Sequence, residues 1–155
     1  MVKDIKTAEK YAYIGEEERK ILLSKARPIV LLHKKNALEN ASPGLPNVGI
    51  YLPYSALHHI LFHYMEKDAL VMTSANMPGQ PMITENDESF SLNADYYLLH
   101  NRKIINRIDD SVVKIWKGRK FFIRKSRGFI PSFILSPHNK KIIAVGAEEN
   151  SSAAQ

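Results

Sequence analysis

The chain has 155 residues, 45% hydrophobic and 25% charged, a balance that excludes both a disordered chain and one built for the membrane. It contains no cysteine, which removes disulfides, thiol nucleophiles and cysteine-ligated zinc in one step. The net charge of +6 is uneven: residues 101–141 hold twelve Lys/Arg against Asp109 and Asp110, a local +10, while the rest of the chain sums to −4. A basic third on a mildly acidic body points to a surface that meets an anion, either nucleotide phosphate or a nucleic-acid backbone. A solvated basic face is the plain alternative. A domain of this length buries roughly 70% of the surface its unfolded chain exposes, so one real core is expected. No apolar run approaches the about 18 residues of a membrane helix, and MVKDIKTAEK has no apolar secretion signal, so the cytoplasm is the expected location.

In chain order, residues 7–24 have a helical pattern divided at Gly15, with Glu16, Glu17 and Glu18 suited to the first turn of a second helix. The run 28–32 (PIVLL) reads as a buried strand, 36–47 as a loop, and 48–52 as a second strand stopped by Pro53. Ser55 is a good N-cap for a helix over 56–65, whose Leu57, Ile60, Leu61 and Tyr64 recur at helical spacing. Residues 69–73 are expected to form a strand, 74–83 a loop, 85–93 a short helix and 96–99 a strand. Residues 112–116 and 121–124 make a hairpin across Lys117–Lys120, and 142–145 a final strand before a frayed tail, 148–155. The order predicts an α/β twisted sheet of mixed direction with flanking helices and a C-terminal β-hairpin.

His59 and His63 stand four apart on the predicted helix, a spacing that can hold a metal. The helical wheel puts them opposite Leu57, Ile60 and Leu61, and neither an HExxH glutamate nor a third ligand is evident, so a solvated face is expected. There is no nucleophile elbow, no P-loop and no dinucleotide-binding glycine motif.

Three segments remain. Thr73-Ser74-Ala75-Asn76 follows a predicted strand, where hydroxyls and an amide can meet a phosphate or a carboxyl-type ligand. Alone, such a turn usually satisfies its own backbone. Asn106-Arg107-Ile108-Asp109-Asp110-Ser111 runs into an apolar strand: its paired carboxylates can orient an arginine or hold Mg²⁺, and Ser111 can contact phosphate. In Arg124-Lys125-Ser126-Arg127-Gly128, two guanidinium groups on one hairpin can clamp a polyphosphate.

Taken in order, LPYSALHHIL, VMTSANMPGQP, NADYYLLHNRKIINRIDDSVV and FFIRKSRGFIP closely resemble the YrdC-like domain of the HypF family, the carbamoyltransferases of [NiFe] hydrogenase maturation. The resemblance runs from about Lys3 to Asn150, and the closing IIAVGAEEN is similar to the entry of the family's next domain. It implies ATP-dependent formation of carbamoyl-adenylate, with Mg²⁺ accompanying ATP, and passage of the carbamoyl group to a C-terminal cysteine of a HypE-like acceptor. It also implies that Ser74, Asn76, Arg107, Asp110, Ser111, Arg124 and Arg127 bind the nucleotide and adenylate. Residues 1–138 are then part of a YrdC-like domain, and 139–155 a strand and tail leading towards a further domain. The family's Gly-rich turn and K-x-R segment, which come before this region, are not in this sequence. The expectation is therefore a fragment with weak nucleotide binding and an incomplete sheet edge.

Competing readings are a threonylcarbamoyl-adenylate synthase-like module, a double-stranded RNA-binding module and an inactive remnant. The basic third suits RNA equally well, but Trp116, Phe121 and Phe122 are expected to be buried in the hairpin rather than offered for stacking.

Overall fold

In the computed structural model, residues 1–36, 38, 40–132, 142–144 and 152–154 are described, the last two stretches as strands only. Two short helices open the chain. Asp4 caps α1 (Ile5–Tyr11) by accepting from Thr7 N at 2.7 Å, and α2 (Glu16–Leu23) starts at Gly15 with three glutamates in its first turn, complementing the helix dipole. Ala8, Ala12 and Leu22 pack against the buried positions Val30 and Leu32 of β1 (Ile29–His33) and Val48 and Ile50 of β2 (Asn47–Ile50). The alternation of buried and open residues along both strands fixes their register, Val30 facing Ile50 and Leu32 facing Val48.

One four-stranded sheet, in the order β2-β1-β3-β4, supports the rest. β3 (Val112–Trp116) lies parallel to β1 and antiparallel to β4 (Arg119–Arg124). Fully buried Val113 plants this hairpin in the core. Lys117 (φ 49°) and Gly118 (φ 71°) form its turn, both in the left-handed region that a tight hairpin of matching twist requires. The connection is thus two residues rather than four, and Arg119 and Lys120 join the strand. A separate antiparallel pair joins β5 (Ile142–Ala144) to β6 (Ser152–Ala154).

Several expectations are corrected. Residues 69–73 are not a strand; only Ala69 makes a bridge, to Val2. Residues 96–99 have no strand partner among the described residues, and the helix expected over 85–93 is a 3₁₀ turn, Asp87–Leu92. The tail is not wholly frayed, since residues 152–154 pair with β5, while 145, 148–151 and 155 lie outside the described residues. The helix α3 (Ala56–Tyr64) forms as expected, with Ser55 accepting from His58 N, but it is rotated. Phe62 is its buried residue, with His58 and Leu61 half-buried beside it, and Leu57, Ile60 and Tyr64 face outward. One aromatic ring at position 62 outweighs the smaller aliphatic stripe because it buries more apolar area. His59 and His63 are exposed, as the wheel required.

The hairpin also differs from expectation. Trp116 is 55% and Phe121 45% exposed. They stand on the face of β3–β4 turned away from Val113 and Phe122, together with Lys114 and Arg119.

Candidate functional site

The strand entrance at 109–111 and the turn at 124–128 meet in a dense knot. Ser111 is fully buried; its hydroxyl donates to Arg127 O at 3.0 Å and accepts from Ser126 N at 2.7 Å. These two bonds align the end of β4 with the start of β3, and Arg127 N adds a bond to Asp109 O.

The Arg127 guanidinium has three protein partners: Asp110 Oδ1 at 2.7 Å, Ala26 O at 3.0 Å and Arg27 O at 3.0 Å. Its carbon also lies 3.5 Å from the centre of the Tyr54 ring, a cation–π contact. One side chain therefore ties the α2–β1 corner, the β3 entrance and the start of α3. Arg124 is freer. Its Nε donates to Asp110 O at 2.9 Å, it stands 3.4 Å from Asp109, and its side chain is 36% exposed against 20% for Arg127. Gly128 (φ 84°) lets the turn pass Ala26, whose Cα and Cβ would lie within 2.8 Å of any added Cβ.

Tyr54, His58 and Tyr51 form an aromatic wall beside Arg127, with the Tyr54 and His58 rings 4.5 Å apart. Burial raises the phenol pKa values of Tyr51 and Tyr54, and the Asp110 carboxylate adds to both. Burial lowers the His58 pKa, and its Nδ1 has no hydrogen-bond partner among the described residues. Sequence reasoning missed Tyr54 and His58 because the spacing of His59 and His63 drew attention to the helix's other side. The available signal was Pro53-Tyr54 directly ahead of the N-cap, a place that faces the sheet.

The T-S-A-N turn is built differently. The Ser74 hydroxyl donates to Asn76 Oδ1, and the Asn76 amide donates to Met77 O and Gln80 O, all among exposed residues. Ile83 N donates to Ala75 O, and Arg107 Nε donates to Met82 O at 2.5 Å, so Arg107 joins this loop. Asp110, Ser111, Arg124 and Arg127 are therefore brought together in one cluster, and Ser74, Asn76 and Arg107 in a second. Among the described residues no hydrogen bond or ion pair joins the two. No group of three His, Asp or Glu there could hold a metal ion. A cavity of about 520 Å³ lies elsewhere, beside β2, and none of these residues lines it.

The mixed sheet, with its flanking helices and its hairpin, defines an α/β domain. The family model named for Sua5, YciO and YrdC, described as "Telomere recombination", matches residues 1–126, and the chain belongs to that family. It is 47% identical over 96% of its length to the probable carbamoyltransferase HypF of Methanocaldococcus jannaschii. Against carbamoyltransferase HypF of Rhizobium leguminosarum the identity is 38%, again over 96% of the chain. It spans about a fifth of each relative, 20% and 21%. The crystal structure of T. kodakarensis HypF superimposes with a TM-score of 0.87 at 48% identity, covering 96% of this chain and 20% of that one. Full-length HypF in a phosphate- and nucleotide-bound form gives 0.85 at 38% identity, covering 94% of this chain and 24% of that one.

Proposed function

We propose that this chain is the nucleotide-handling part of a HypF-type carbamoyltransferase, contributing to ATP-dependent carbamoyl-adenylate formation for hydrogenase maturation. The observation that carries the reading is the likeness, over nearly the whole chain, to a HypF whose structure is described as phosphate- and nucleotide-bound. The knot around Arg124 agrees with it, since a half-exposed guanidinium at the end of a rigid strand can take a phosphate without reorganisation. In this reading Arg124 and the Ser74-Asn76 turn contact the nucleotide, while Ser111 and Arg127 hold the strand entrance in shape. Asp109 and Asp110 are engaged by arginines, so Mg²⁺ arrives with ATP as part of the substrate. Carbamate oxygen attacks the α-phosphate, pyrophosphate leaves, and no covalent intermediate on the protein is required. The HypE-like acceptor belongs to the longer protein's chemistry.

Calorimetric titration of AMP or ATP at fixed salt tests the reading. Arg124→Ala should weaken binding by about ten- to a hundredfold. Ser74→Ala should weaken it too, and Lys35→Ala should leave it unchanged. Equal affinity in all three variants would remove the site. Double-stranded RNA binding keeps a place as second reading because Trp116 and Phe121 are exposed beside Lys114 and Arg119. Retention of an RNA duplex by the chain, lost in Arg119→Ala, would favour it.

A further inference from the structure

His58 closes the aromatic wall beside Arg127, and one of its two ring nitrogens is sealed from water. Nδ1 is buried and has no hydrogen-bond partner among the described residues. A buried donor without an acceptor loses its bond to water and gains nothing in return. The proton of the neutral ring is therefore assigned to Nε2, and Nδ1 stays bare. An imidazolium has no such choice. Both nitrogens then carry hydrogen, and the one on Nδ1 becomes a charged donor with nothing to receive it.

The surroundings oppose that charge as well. His58 lies in the first turn of α3, its backbone N–H bonded to the N-cap Ser55 at 3.2 Å, where the helix dipole is positive. Burial is the largest influence against protonation. Of the charged groups that face the ring, Asp110 favours the imidazolium, while Arg127, His59 and the Met1 amine disfavour it. The two phenols that touch it, Tyr51 and Tyr54, stay neutral because burial raises both.

The neutral ring is one end of a chain of contacts. It meets Tyr54 at 4.5 Å with the planes at 75°, and Tyr54 lays its face on the Arg127 guanidinium at 3.5 Å. Tyr51 backs both rings, 6.0 Å from Tyr54 and 6.4 Å from His58. Held in this way, Arg127 keeps its Nε on Asp110 Oδ1 at 2.7 Å. The Asp110 carboxylate is thereby kept off Arg124, which bonds only the Asp110 backbone carbonyl and has Asp109 as its acidic neighbour at 3.4 Å. A His58 ring that swings out to bring Nδ1 to water withdraws its support from Tyr54. Arg127 loosens, and Asp110 is free to turn to Arg124, where two carboxylates then compete with a phosphate.

We propose that neutral His58 is a positioning residue which, through Tyr54, holds Arg127 on Asp110 and leaves Arg124 open to an anion, and that protonation of His58 in mild acid releases this latch. The consequence for anion binding rests on the reading of Arg124 as a phosphate contact. The latch itself does not.

Both parts are read on the full chain between pH 7.5 and about 5. The latch is followed by the NMR signal of the Arg127 Nε–H. Guanidinium exchange is base-catalysed, so such a signal ordinarily sharpens in acid. Here it should fade as the His58 ring signals report protonation. In His58→Phe, which keeps a ring and cannot take a proton, it should survive to about pH 5. Calorimetric titration of ATP follows Arg124. The protonation of ATP is the same against either protein, so dividing the wild-type affinity by that of His58→Phe cancels it. That ratio should fall at least about tenfold across the range, as the competent fraction falls. With Tyr54→Leu in place of the wild type the ratio should stay flat, since His58 still titrates but is disconnected, and Tyr54→Phe should restore the fall. An Arg127 signal that sharpens on acidification of the wild type, or fades equally in His58→Phe, would overturn the latch. A flat wild-type ratio beside a fading signal would overturn its link to Arg124, and an equal fall in Tyr54→Leu would overturn the route through Tyr54. If neither the wild type nor any variant binds ATP at any pH, the phosphate reading falls, and the Arg127 signal alone decides the latch.

Discussion

The two halves of the candidate site are built on opposite principles. Between Asp109 and Gly128, every polar group of the proposed site is bonded to another element: Ser111 to the far turn, Arg127 to three elements at once, Arg124 to the strand entrance. Between Ser74 and Arg107, each bond is local or reaches only another exposed loop. The first region is part of the fold's stability and the second is not. A residue that can bind a phosphate in the first also holds the sheet, so its removal mixes two losses; in the second the losses separate.

The largest expected effect comes from Arg127→Ala. It leaves Asp110 without its partner, two backbone carbonyls without donors and the Tyr54 ring uncovered, and should cost about 3–5 kcal/mol, near the figure for breaking a buried pair. Urea unfolding measures this as a shift in midpoint. Arg127→Lys should recover little, because an ammonium cannot reach Asp110, Ala26 O and Arg27 O together. A midpoint unchanged by Arg127→Ala would show that the knot is not what joins these elements.

Ser111→Ala should cost less, about 1–3 kcal/mol, for one buried hydroxyl that both donates and accepts. Its effect on nucleotide affinity should be small once unfolded protein is accounted for. Loss of affinity without loss of stability would return Ser111 to the role of a direct phosphate contact.

These contrasts explain what the sequence made legible. β1, β3 and β4 carry their own signals, since apolar alternation and a Lys117-Gly118 turn are local facts. The run at 69–73 has the same composition, but a strand is defined by a neighbour, and beyond Leu70 it has none among the described residues. The orientation of α3 failed for a related reason: periodicity counted Leu57, Ile60 and Tyr64, whereas burial was decided by which residue met Tyr51 and Met1, and that is Phe62. The segments of the site were readable from residue type and resemblance. Their bonding was not, because no pattern in the sequence says that Arg127 would turn inward to Ala26 and Arg27.

A pH experiment sharpens the comparison at the Met1–Leu70 pair, which ties down the chain just ahead of the looser region. Burial lowers the Met1 amine from its usual 8.0 to about 6. Between pH 8 and 6 the unfolded chain therefore takes up a proton that the folded chain does not. Stability should fall as pH drops through that window and level off below about 6. The total is about 1 kcal/mol, because the amine keeps some contact with water. Burial lowers the His58 pKa as well and acts in the same direction, so the isolating control is N-acetylation, which removes the titration yet keeps an N–H for Leu70 O. Parallel unfolding profiles for the acetylated and free chains between pH 6 and 8 would mean that the amine titrates as it does in water.

The smallest effect is the most discriminating. Ser74→Ala and Asn76→Ala remove bonds made wholly among exposed residues of one loop, so each should change stability by no more than about 0.5 kcal/mol. Unfolding midpoints measured beside those of Ser111→Ala would then separate the regions, since one hydroxyl is removed in each serine variant and only its surroundings differ. Asn76→Ala is the harder case, because its amide closes the turn on Met77 O and Gln80 O. Opening that turn should be visible as faster amide exchange at Gln80 and Ile83 while the midpoint stays in place, the mark of a local rather than a global opening. If Asn76→Ala instead lowered the midpoint as far as Ser111→Ala does, the T-S-A-N turn would be coupled to the sheet by contacts as strong as those of the knot, and the division between a welded half and a free half would fall.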